Sequence, residues 1–452
     1  MQLVAYGAQD VYLTGKPQIT FFRLVTRRYT NFAMEAIEQT FNGQPTLGRK
    51  VTCTISRNGD LAHRMYLEID LNVTPDALTT SLTGASGAGA ATDLDVLDNS
   101  QSNTYALTVQ RRMNRLNATR LGHLMIEKME IEIGGQIIDT HYGEWMDMWA
   151  QLTHSEEQWQ KLQTLVNGSL AELDECATGA NTQAKLYVPL QFWFNCNPGL
   201  ALPLIALQYH EVKLHVYFQS KACLARVGSF TNIDIDECLL YVDYNYLDTD
   251  ERRRFASQSH EYLIEQLQMN GPTSVAAQNQ HANINLNFNH PVKELVWRVQ
   301  GTNSEDTFNY WPSSFNQNTE VATNDLNARA QNEFLERVKL QLNGTDRFSA
   351  REGSYFRCVQ PYQHHTGGHN QKPATATGGF YSYSFALRPE DHQPSGTCNF
   401  SRLDSATLQL DFTDFANDIS NPATQNKEVV VYARNYNVLR IMSGMGGLAY
   451  SN

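Results

Sequence analysis

An internal repeat constrains the fold of this 452-residue chain more than any other feature of its sequence. Five segments of the first half recur, in the same order, in the second half. The pairs are 37–39 with 264–266, 64–69 with 294–299, 126–135 with 335–344, 212–216 with 408–412, and 237–242 with 428–433. From the second pair onward the spacing between partners shrinks, as it does when loops differ in length while strand order is kept. We therefore predict two copies of one domain.

The repeated segments have the pattern of β-strands. Hydrophobic and polar residues alternate from Met65 to Leu71, from Met129 to Ile133 and from Val338 to Leu342. A period of two is typical of strands with one face on a core. The chain has 21 Tyr and 20 Phe but only 18% charged residues, which also favours strands. The motif Arg57-Asn58-Gly59-Asp60 predicts a hairpin turn between two such runs, because Asn-Gly favours left-handed dihedrals.

We predict an all-β fold with a few short helices, made of two consecutive eight-stranded jelly-roll β-sandwiches (a double jelly roll). Each repeat spans about 190 to 230 residues with unequal loops, whereas an immunoglobulin-like sandwich takes about 100 residues. Residues 1–30 have no partner in the repeat, so we expect them to form an N-terminal arm. The first jelly roll is expected at 31–247, a connector at 248–259 and the second jelly roll at 260–452.

Two helices stand out from the strands. Ser155-Glu156-Glu157-Gln158 is a capping box, followed on one face by Trp159, Leu162, Leu165 and Val166 and ended by Asn167-Gly168. Asp248 begins a second helix, whose arginines 252–254 we interpret as a solvated, self-paired face rather than a phosphate site. Residues 81–91 are low in complexity and are predicted to be loosely held, and 301–327 form a second polar loop.

Charge and cysteine content narrow the function. The chain has 47 acidic and 35 basic residues, a formal net charge of −12, so direct nucleic acid binding is disfavoured. No run approaches the 18 or so apolar residues of a membrane helix, and the N-terminus lacks the pattern of a signal peptide. The seven cysteines are spread without a CxxC motif, which favours free thiols over disulfides. We expect a soluble protein made in the cytosol.

Seven strings of sequence carry a family resemblance. They are VAYGAQDVYLTG (4–15), RRYTNFAMEAIEQT (27–40), SRNGDL (56–61), NPGLALPLIALQYHEVKL (197–214), HEYLIEQLQ (260–268), QPSGTCNFSR (393–402) and NYNVLRIMSGMGGLAY (435–450). With these motifs the chain resembles the major capsid proteins of large nucleo-cytoplasmic icosahedral DNA viruses, above all the chlorovirus and marseillevirus type. It departs from the chlorovirus-like pattern at about 73–123 and at 301–330, so the family's loop contacts are not carried over there.

The resemblance implies a structural role. In that family the fold is a double jelly roll, and three copies form a pseudo-hexagonal capsomer of the icosahedral outer shell. We therefore expect a homotrimer that contacts neighbouring capsomers in the virion, made and assembled in the host cytoplasm. The resemblance also implies an internal membrane between shell and genome, so no direct contact with nucleic acid is expected. The arm, residues 1–30, combines apolar residues with arginines and is expected to contact minor capsid proteins beneath the shell.

No constellation of residues predicts catalysis, so we name no catalytic, cofactor-binding or metal residue. The histidines His364, His365 and His369 lack a cysteine or carboxylate at ligand spacing, which argues against a metal site. Gly444-Met445-Gly446-Gly447 has no following helix and cannot cradle a phosphate, so we interpret it as a site of tight backbone packing. Serine, histidine and aspartate are too common to propose a triad without geometry.

Two classes of function therefore stay open from the residues. The first is a structural shell protein, which the repeat, the acidic chain and the family resemblance favour. The alternative is a double β-sandwich protein that binds carbohydrate, or an enzyme that acts on glycans, because a jelly roll alone does not decide function. Such an enzyme would need paired carboxylates about 5 to 9 Å apart in a cleft.

Overall fold

The structure is a computed structural model that describes residues 7–18, 24, 26–75, 120–167, 182–221, 224, 230–301, 335–367, 380–412 and 426–450. The strands of the first half are β1 Phe32–Thr40, β2 Lys50–Thr54, β3 Leu61–Pro75, β4 Ile126–Ile133, β5 Gln136–Tyr142, β6 Thr182–Pro189, β7 Leu202–Pro203, β8 Val212–Phe218 and β9 Phe230–Leu247. The strands of the second half are β10 His260–Val275, β11 His281–Asn285, β12 Pro291–Gly301, β13 Leu335–Leu342, β14 Thr345–Asp346, β15 Arg351–Glu352, β16 Phe380–Ser384, β17 Cys398–Asn399, β18 Ala406–Phe412, β19 Lys427–Met442 and β20 Met445–Leu448.

Short helices connect the strands. Within the described residues the α-helices are α1 Asp10–Thr14, α2 Leu121–Leu124, α3 Gly143–Thr153, α4 Glu156–Asn167, α5 Trp193–Cys196, α6 Thr249–Ser257 and α7 Gln360–His364. Single turns of 3₁₀-helix cover Pro198–Leu200 and Phe400–Arg402, and Tyr355–Val359 forms a π-helical turn before α7. None of the helices in the described part of the chain is long and apolar enough to cross a membrane.

The strands form two sandwiches with the same topology. In the first, one sheet has the order β1-β9-β3-β6 and the other has the order β2-β8-β4-β5. In the second, the orders are β10-β19-β12-β16 and β11-β18-β13-β14. Every pairing is antiparallel, and the short strands β7, β15, β17 and β20 add to the sheet edges or ends. Two four-stranded sheets in this order are a jelly roll, so the predicted double jelly roll is confirmed.

All five repeated segments fall on topologically equivalent strands, but two of the sequence matches are out of register. Met65 pairs with Val242, and its counterpart Leu295 pairs with Ala433. Ile37 also pairs with Val242, so its true counterpart is Gln268, which pairs with Ala433 and lies four residues beyond the predicted Ile264. The match of 212–216 with 408–412 is likewise wrong by two residues, since the ladders align position 212 with position 406.

The predicted hairpin at Arg57–Asp60 is wrong. The flanking strands β2 and β3 lie in different sheets of the first sandwich, so the turn crosses between sheets instead of joining paired strands. Neither Asn58 nor Gly59 has a positive φ. Gly59 is needed for space, because a Cβ there would lie 2.7 Å from the Cβ of Tyr244. The Asn-Gly pair therefore reflects a close approach to β9 rather than a left-handed turn.

The alternating strands form the two cores as predicted. Met65, Leu67, Ile69 and Leu71 of β3 are all buried in the first core, and Leu340 lies in the second. Their polar neighbours face outward, as expected for a strand with one buried face. The loops at 73–123 and 301–330, including 81–91, lie largely outside the described residues.

The two predicted helices are present. In α4 the capping box forms, because Ser155 N donates to Gln158 Oε1 and Gln158 N donates to Ser155 Oγ. Trp159, Leu162 and Val166 are buried as expected, but Leu165 is 44% exposed. In α6 the Asp248 carboxylate accepts a hydrogen bond from Thr249 N at 2.8 Å. All of α6 is solvated, although Arg252 reaches Asp60 of the first sandwich at 3.0 Å.

Candidate functional site at the junction of the two sandwiches

The sheet β10-β19-β12-β16 is buried on both faces. Its alternate residues Leu295, Trp297 and Val299 fill the core of the second sandwich. Other residues of the same sheet, some on the opposite face and some toward the strand ends, join the core cluster of the first sandwich. That set is Ile264, Leu267, Val296, Phe380, Val430, Tyr432, Leu439 and Ile441. Because burial of apolar side chains stabilises by about 1.5–3 kcal/mol each, the two sandwiches form one continuous hydrophobic unit.

Strand β5 of the first sandwich bonds directly to β10 of the second. Leu267 N donates to the Asp139 carboxylate at 3.0 Å, and Gln266 Nε2 donates to the Ile138 carbonyl oxygen. Asp139 and Gln266 are both buried. His141 Nε2 lies 3.1 Å from the second oxygen of Asp139. These hydrogen bonds set the register between the sandwiches, because each buried polar group would lose its partner if one sandwich slid.

Helix α3 packs across β19 and β12. Its Glu144 accepts a hydrogen bond from Tyr432 Oη at 3.0 Å and forms an ion pair with Arg298. The rings of Trp145 and Tyr432 have centroids 5.5 Å apart. Burial raises the pKa of Tyr432 well above its usual value, so its hydroxyl stays a donor. This helix was missed from the sequence, although Trp145, Met148, Trp149 and Leu152 have helical spacing.

A buried charge cluster lies beyond this contact, with Arg434 at its centre. The Arg434 guanidinium stacks over the Trp149 ring at 3.8 Å and donates to Glu294 at 3.0 Å and to Glu265. Lys293 is fully buried and donates to Glu265 at 2.7 Å. Two cations thus face two carboxylates from β10 and β12, and an aromatic ring of the first sandwich covers the central cation.

The pKa values of Glu265 and Arg434 are shifted in the direction that keeps both groups charged. Burial alone would raise the pKa of Glu265, but Arg434, His392 and Lys293 outweigh it and lower the pKa to about 2. Burial would likewise lower the pKa of Arg434, yet Glu265 and Glu294 raise it above its usual value. Burial and the neighbouring Arg434 lower the pKa of Lys293. The cluster therefore depends on being complete, since Glu265 and Arg434 each hold their charge through their partners.

The predicted histidine cluster borders the same site. His365 lies between two carboxylates, with Nε2 at 3.2 Å from Glu294 and Nδ1 at 3.1 Å from Glu390. The fold thus brings to His365 two carboxylates that do not stand at ligand spacing in the sequence. His364 Nδ1 donates to the Leu387 carbonyl oxygen at 3.1 Å, and His369 lies outside the described residues. Among the residues that the structure describes, no group of three or more His, Cys, Asp or Glu is arranged to hold a metal ion.

A cavity of about 370 Å³ opens between the sandwiches beside the charge cluster. Trp145, Trp149, Trp193 and Cys196 line it from the first sandwich, and Glu390, His392 and Arg434 line it from the second. Burial raises the pKa of the Cys196 thiol, so the thiol stays protonated. The outer edge of the ion cluster therefore faces an open space rather than a packed protein wall.

The glycine-rich C-terminus packs against the first sandwich, as interpreted from the sequence. Gly444 has a φ of +80°, and its carbonyl accepts a hydrogen bond from Tyr209 N at 3.0 Å. A Cβ at Gly446 would lie 2.7 Å from the Leu207 side chain. The hairpin between β19 and β20 therefore inserts where larger residues would not fit.

The outer face of β1-β9-β3-β6 in the first sandwich is open. Tyr66 and Tyr241 stack there with ring centroids 5.0 Å apart, and Tyr187 lies 6.2 Å from Tyr66. On the edge strand β1, Phe32 is 48% exposed and Met34 is 54% exposed. In the second sandwich, the equivalent sheet face is buried against α3. One chain thus carries two equivalent faces, one covered and one free.

The N-terminal segment is also exposed. In α1 Val11, Tyr12 and Leu13 are 58%, 91% and 84% exposed, and no residue of that helix is buried. Leu24 and Tyr29 are similarly open to solvent. An apolar helix without intrachain packing has hydrophobic area available for a partner.

Comparison with known proteins identifies the class of protein. Residues 251–447 match the family model of the large eukaryotic DNA virus major capsid protein, and residues 20–248 match the model of the major capsid protein N-terminus. The chain therefore belongs to the major capsid protein family of large DNA viruses, and its place is the capsid of the virion.

Individual relatives match this chain over its full length. The chain is 46% identical to the major capsid protein of Pyramimonas orientalis virus and 41% identical to that of Paramecium bursaria Chlorella virus 1, covering 100% of this chain and 99% of each relative. The quasi-atomic model of the PBCV-1 virus capsid matches with a TM-score of 0.71 and 37% identity, over 96% of this chain and 100% of that chain. These relatives are structural proteins of virions, which agrees with the chlorovirus-like resemblance.

Proposed function

We propose that three copies of this chain close into a pseudo-hexagonal capsomer that tiles the outer shell of an icosahedral particle. The observation that carries the proposal is the equivalence of Tyr241 and Tyr432. Tyr432 is buried against α3 within the chain, whereas Tyr241 occupies the same position on the open face of the first sandwich. A neighbouring chain that repeated the internal contact would cover Tyr241 in the same way.

The second sandwich offers the matching surface. Helix α3 follows β5 in the first sandwich. In the second sandwich the π-helical turn and α7 follow β14 and β15, which pair with β13 as β5 pairs with β4. This segment exposes Val359 (38%) and Tyr362 (83%). Leu387, in the loop after β16, is 75% exposed. Exposed apolar residues thus lie on both of the surfaces that would meet.

The charges of the two surfaces also fit. Glu38, Glu68 and Asp243 surround the tyrosines on the open face. Arg347 and Arg351 are exposed beside the π-helical turn. The contact joins different surfaces of two chains, so it is head-to-tail, and three such steps close a ring in which six similar sandwiches alternate.

Light scattering on the purified protein tests this proposal. The expected mass is about three times the chain mass of 51.1 kDa, and electron micrographs should show hexagonal outlines. A stable monomer at micromolar concentration, with no threefold contact in assembled particles, would contradict the trimer.

We also propose the domain division described above: an arm at residues 1–30, jelly rolls at 31–247 and 260–452, and a connector at 248–259. The helix α6 supports the connector, because it is capped and solvated along its length. The particle is proposed to assemble in the host cytoplasm, over an internal membrane. A non-enzymatic role is supported by the structural relatives, and no observation favours the glycan-binding or glycan-acting alternative.

The arm is proposed to bind minor capsid proteins beneath the shell. Deleting residues 1–20 removes α1 and its exposed apolar residues, so shell assembly with the minor proteins is expected to fall at least about tenfold. Particle yield, counted by electron microscopy, measures this. The trimer mass of the truncated protein serves as the control and should be unchanged, and a normal particle yield would contradict the role of the arm.

Direct contact with the genome is not proposed. With a net charge of −12, the protein releases few counterions from a duplex, so the dissociation constant for DNA should exceed about 1 μM at about 150 mM salt. Fluorescence anisotropy with a labelled duplex measures this. Sub-micromolar binding at that salt concentration would overturn the expectation.

A further inference from the structure

His365 is held in a geometry that only its doubly protonated form satisfies. Both ring nitrogens face a carboxylate, Nε2 toward Glu294 and Nδ1 toward Glu390, and the side chain is 1% exposed. A neutral imidazole carries one N–H, so one of its nitrogens would then present a lone pair to a buried carboxylate. The imidazolium donates to both.

The other charged groups around His365 balance one another. Glu294 of β12 is shared with Arg434 of β19, which in turn pairs with Glu265 of β10. From the same side, Lys293 binds Glu265, and His392 lies 3.7 Å from Glu265. The positive and negative charges of these groups balance one another. Glu390, on the side of the cavity, is then the carboxylate whose charge His365 neutralises.

The first sandwich places a tryptophan ring and a second histidine near His365 and Glu390. Trp149 of α3 meets the His365 ring edge-to-face, with centroids 6.1 Å apart. His154 follows α3, and burial lowers its pKa, so it is neutral at and above neutral pH and does not compete for Glu390.

The segment that contains His365 is seated directly on α3. Glu390 accepts a hydrogen bond from Thr366 N at 2.8 Å, which fixes the backbone next to the histidine. Gly367 N then donates to the Leu152 carbonyl oxygen at 2.7 Å, near the end of α3. A Cβ at Gly367 would lie 2.6 Å from two carbonyl oxygens of the first sandwich, so the fit leaves no room for a side chain.

We propose that the proton on His365 latches the second sandwich onto α3 of the first, and that alkaline conditions release this latch. Loss of the proton leaves Glu294 and Glu390 facing a neutral ring. The Thr366–Gly367 backbone then loses its anchor, and the hydrogen bond to Leu152 opens. The latch acts within one chain, so it is independent of whether the chain forms a trimer.

The direction of the pH dependence follows from linkage. Burial would lower the pKa of His365, but the hydrogen bonds to Glu294 and Glu390 outweigh it and raise the pKa from 6.5 to about 9. Because the pKa of His365 is raised in the folded state, protonation of this residue stabilises the fold fully below pH 6.5. This stabilisation is lost as the pH rises through 9. Over that range the folding equilibrium constant should lose roughly two orders of magnitude from this group alone.

Histidine C2 hydrogen–deuterium exchange with mass spectrometry tests the latch in the unmodified protein. It reports the titration of each histidine separately, and we expect a midpoint near pH 9 for His365. Amide exchange over residues 364–367 and 149–154 should accelerate above this midpoint by more than the intrinsic rate does. A midpoint at or below 6.5, or amide protection that is unchanged through pH 10, would overturn the proposal.

The variant H365Q separates the proton from the side-chain volume, because glutamine donates to one carboxylate only and does not titrate. Its destabilisation relative to the wild type should be largest at pH 6.5 and should shrink by about two orders of magnitude in the unfolding equilibrium constant by pH 9. The control H281Q removes a 76% exposed histidine that lies 2.7 Å from Asp411. If the H281Q and H365Q profiles coincide, the latch is wrong.

Discussion

Replacing Arg434 with methionine is expected to destabilise the folded chain by about 3–5 kcal/mol. Methionine keeps much of the packing on Trp149 but leaves Glu265 and Glu294 buried without their shared cation. An uncompensated buried carboxylate is far more costly than the net gain from the original ion pair. Urea or thermal unfolding of the intact protein measures the loss.

The matched control for this variant is R440M in the same strand. Arg440 bonds to Glu261 at 2.8 Å, but both side chains are more than half exposed, so the expected loss is below about 1 kcal/mol. Adding E294Q to R434M should restore part of the stability, because Lys293 then still pairs with Glu265 and His365 with Glu390. If R434M were as stable as R440M, the cluster would have no role in holding the sandwiches together.

A single carboxylate placed on either proposed contact surface is expected to turn the trimer into a monomer. Y241D acts on the open face of the first sandwich, and Y362D acts on α7 of the second. In the trimer each substitution would be repeated at three contacts, where it removes an aromatic ring and buries a carboxylate, and we expect the dissociation constant to rise at least about 100-fold. Light scattering across a dilution series measures the change in mass.

The control substitution is Y12D, which makes the same chemical change at a 91% exposed tyrosine of the arm. It should remain trimeric, and circular dichroism should show that all three variants keep their strands. A trimer that survives both Y241D and Y362D would contradict the assignment of the contact surfaces while leaving the trimer itself intact.

The sequence predicted the strands far better than their register. The five repeated segments identify equivalent strands, but Ile37 matches Ile264 in sequence and Gln268 in the ladders. The errors of four and two residues are both even. Alternating side chains look the same after a shift of two, so the pattern places the core face correctly without fixing the position along the strand.

The charge cluster could not have been predicted from sequence patterns. Its members come from β10, β12, β19 and the loops near His365 and Glu390, and no two carboxylates stand at a recognisable ligand spacing. Only the paired sheets bring them together. By contrast, the sequence of α3 does carry the signal of a helix, because its tryptophan and leucine residues recur at helical spacing.

The hydrophobic cluster that crosses the junction bears on how the protein is made. The first sandwich shares its core with Tyr432, Leu439 and Ile441, and Gly446 closes against Leu207. These residues leave the ribosome after the first sandwich, so a nascent chain that holds only the first sandwich exposes an unfinished apolar wall. We therefore expect chains that stop before β19 to be poorer in folding and more readily degraded than the intact protein, because they expose the surface that β19 and β20 cover.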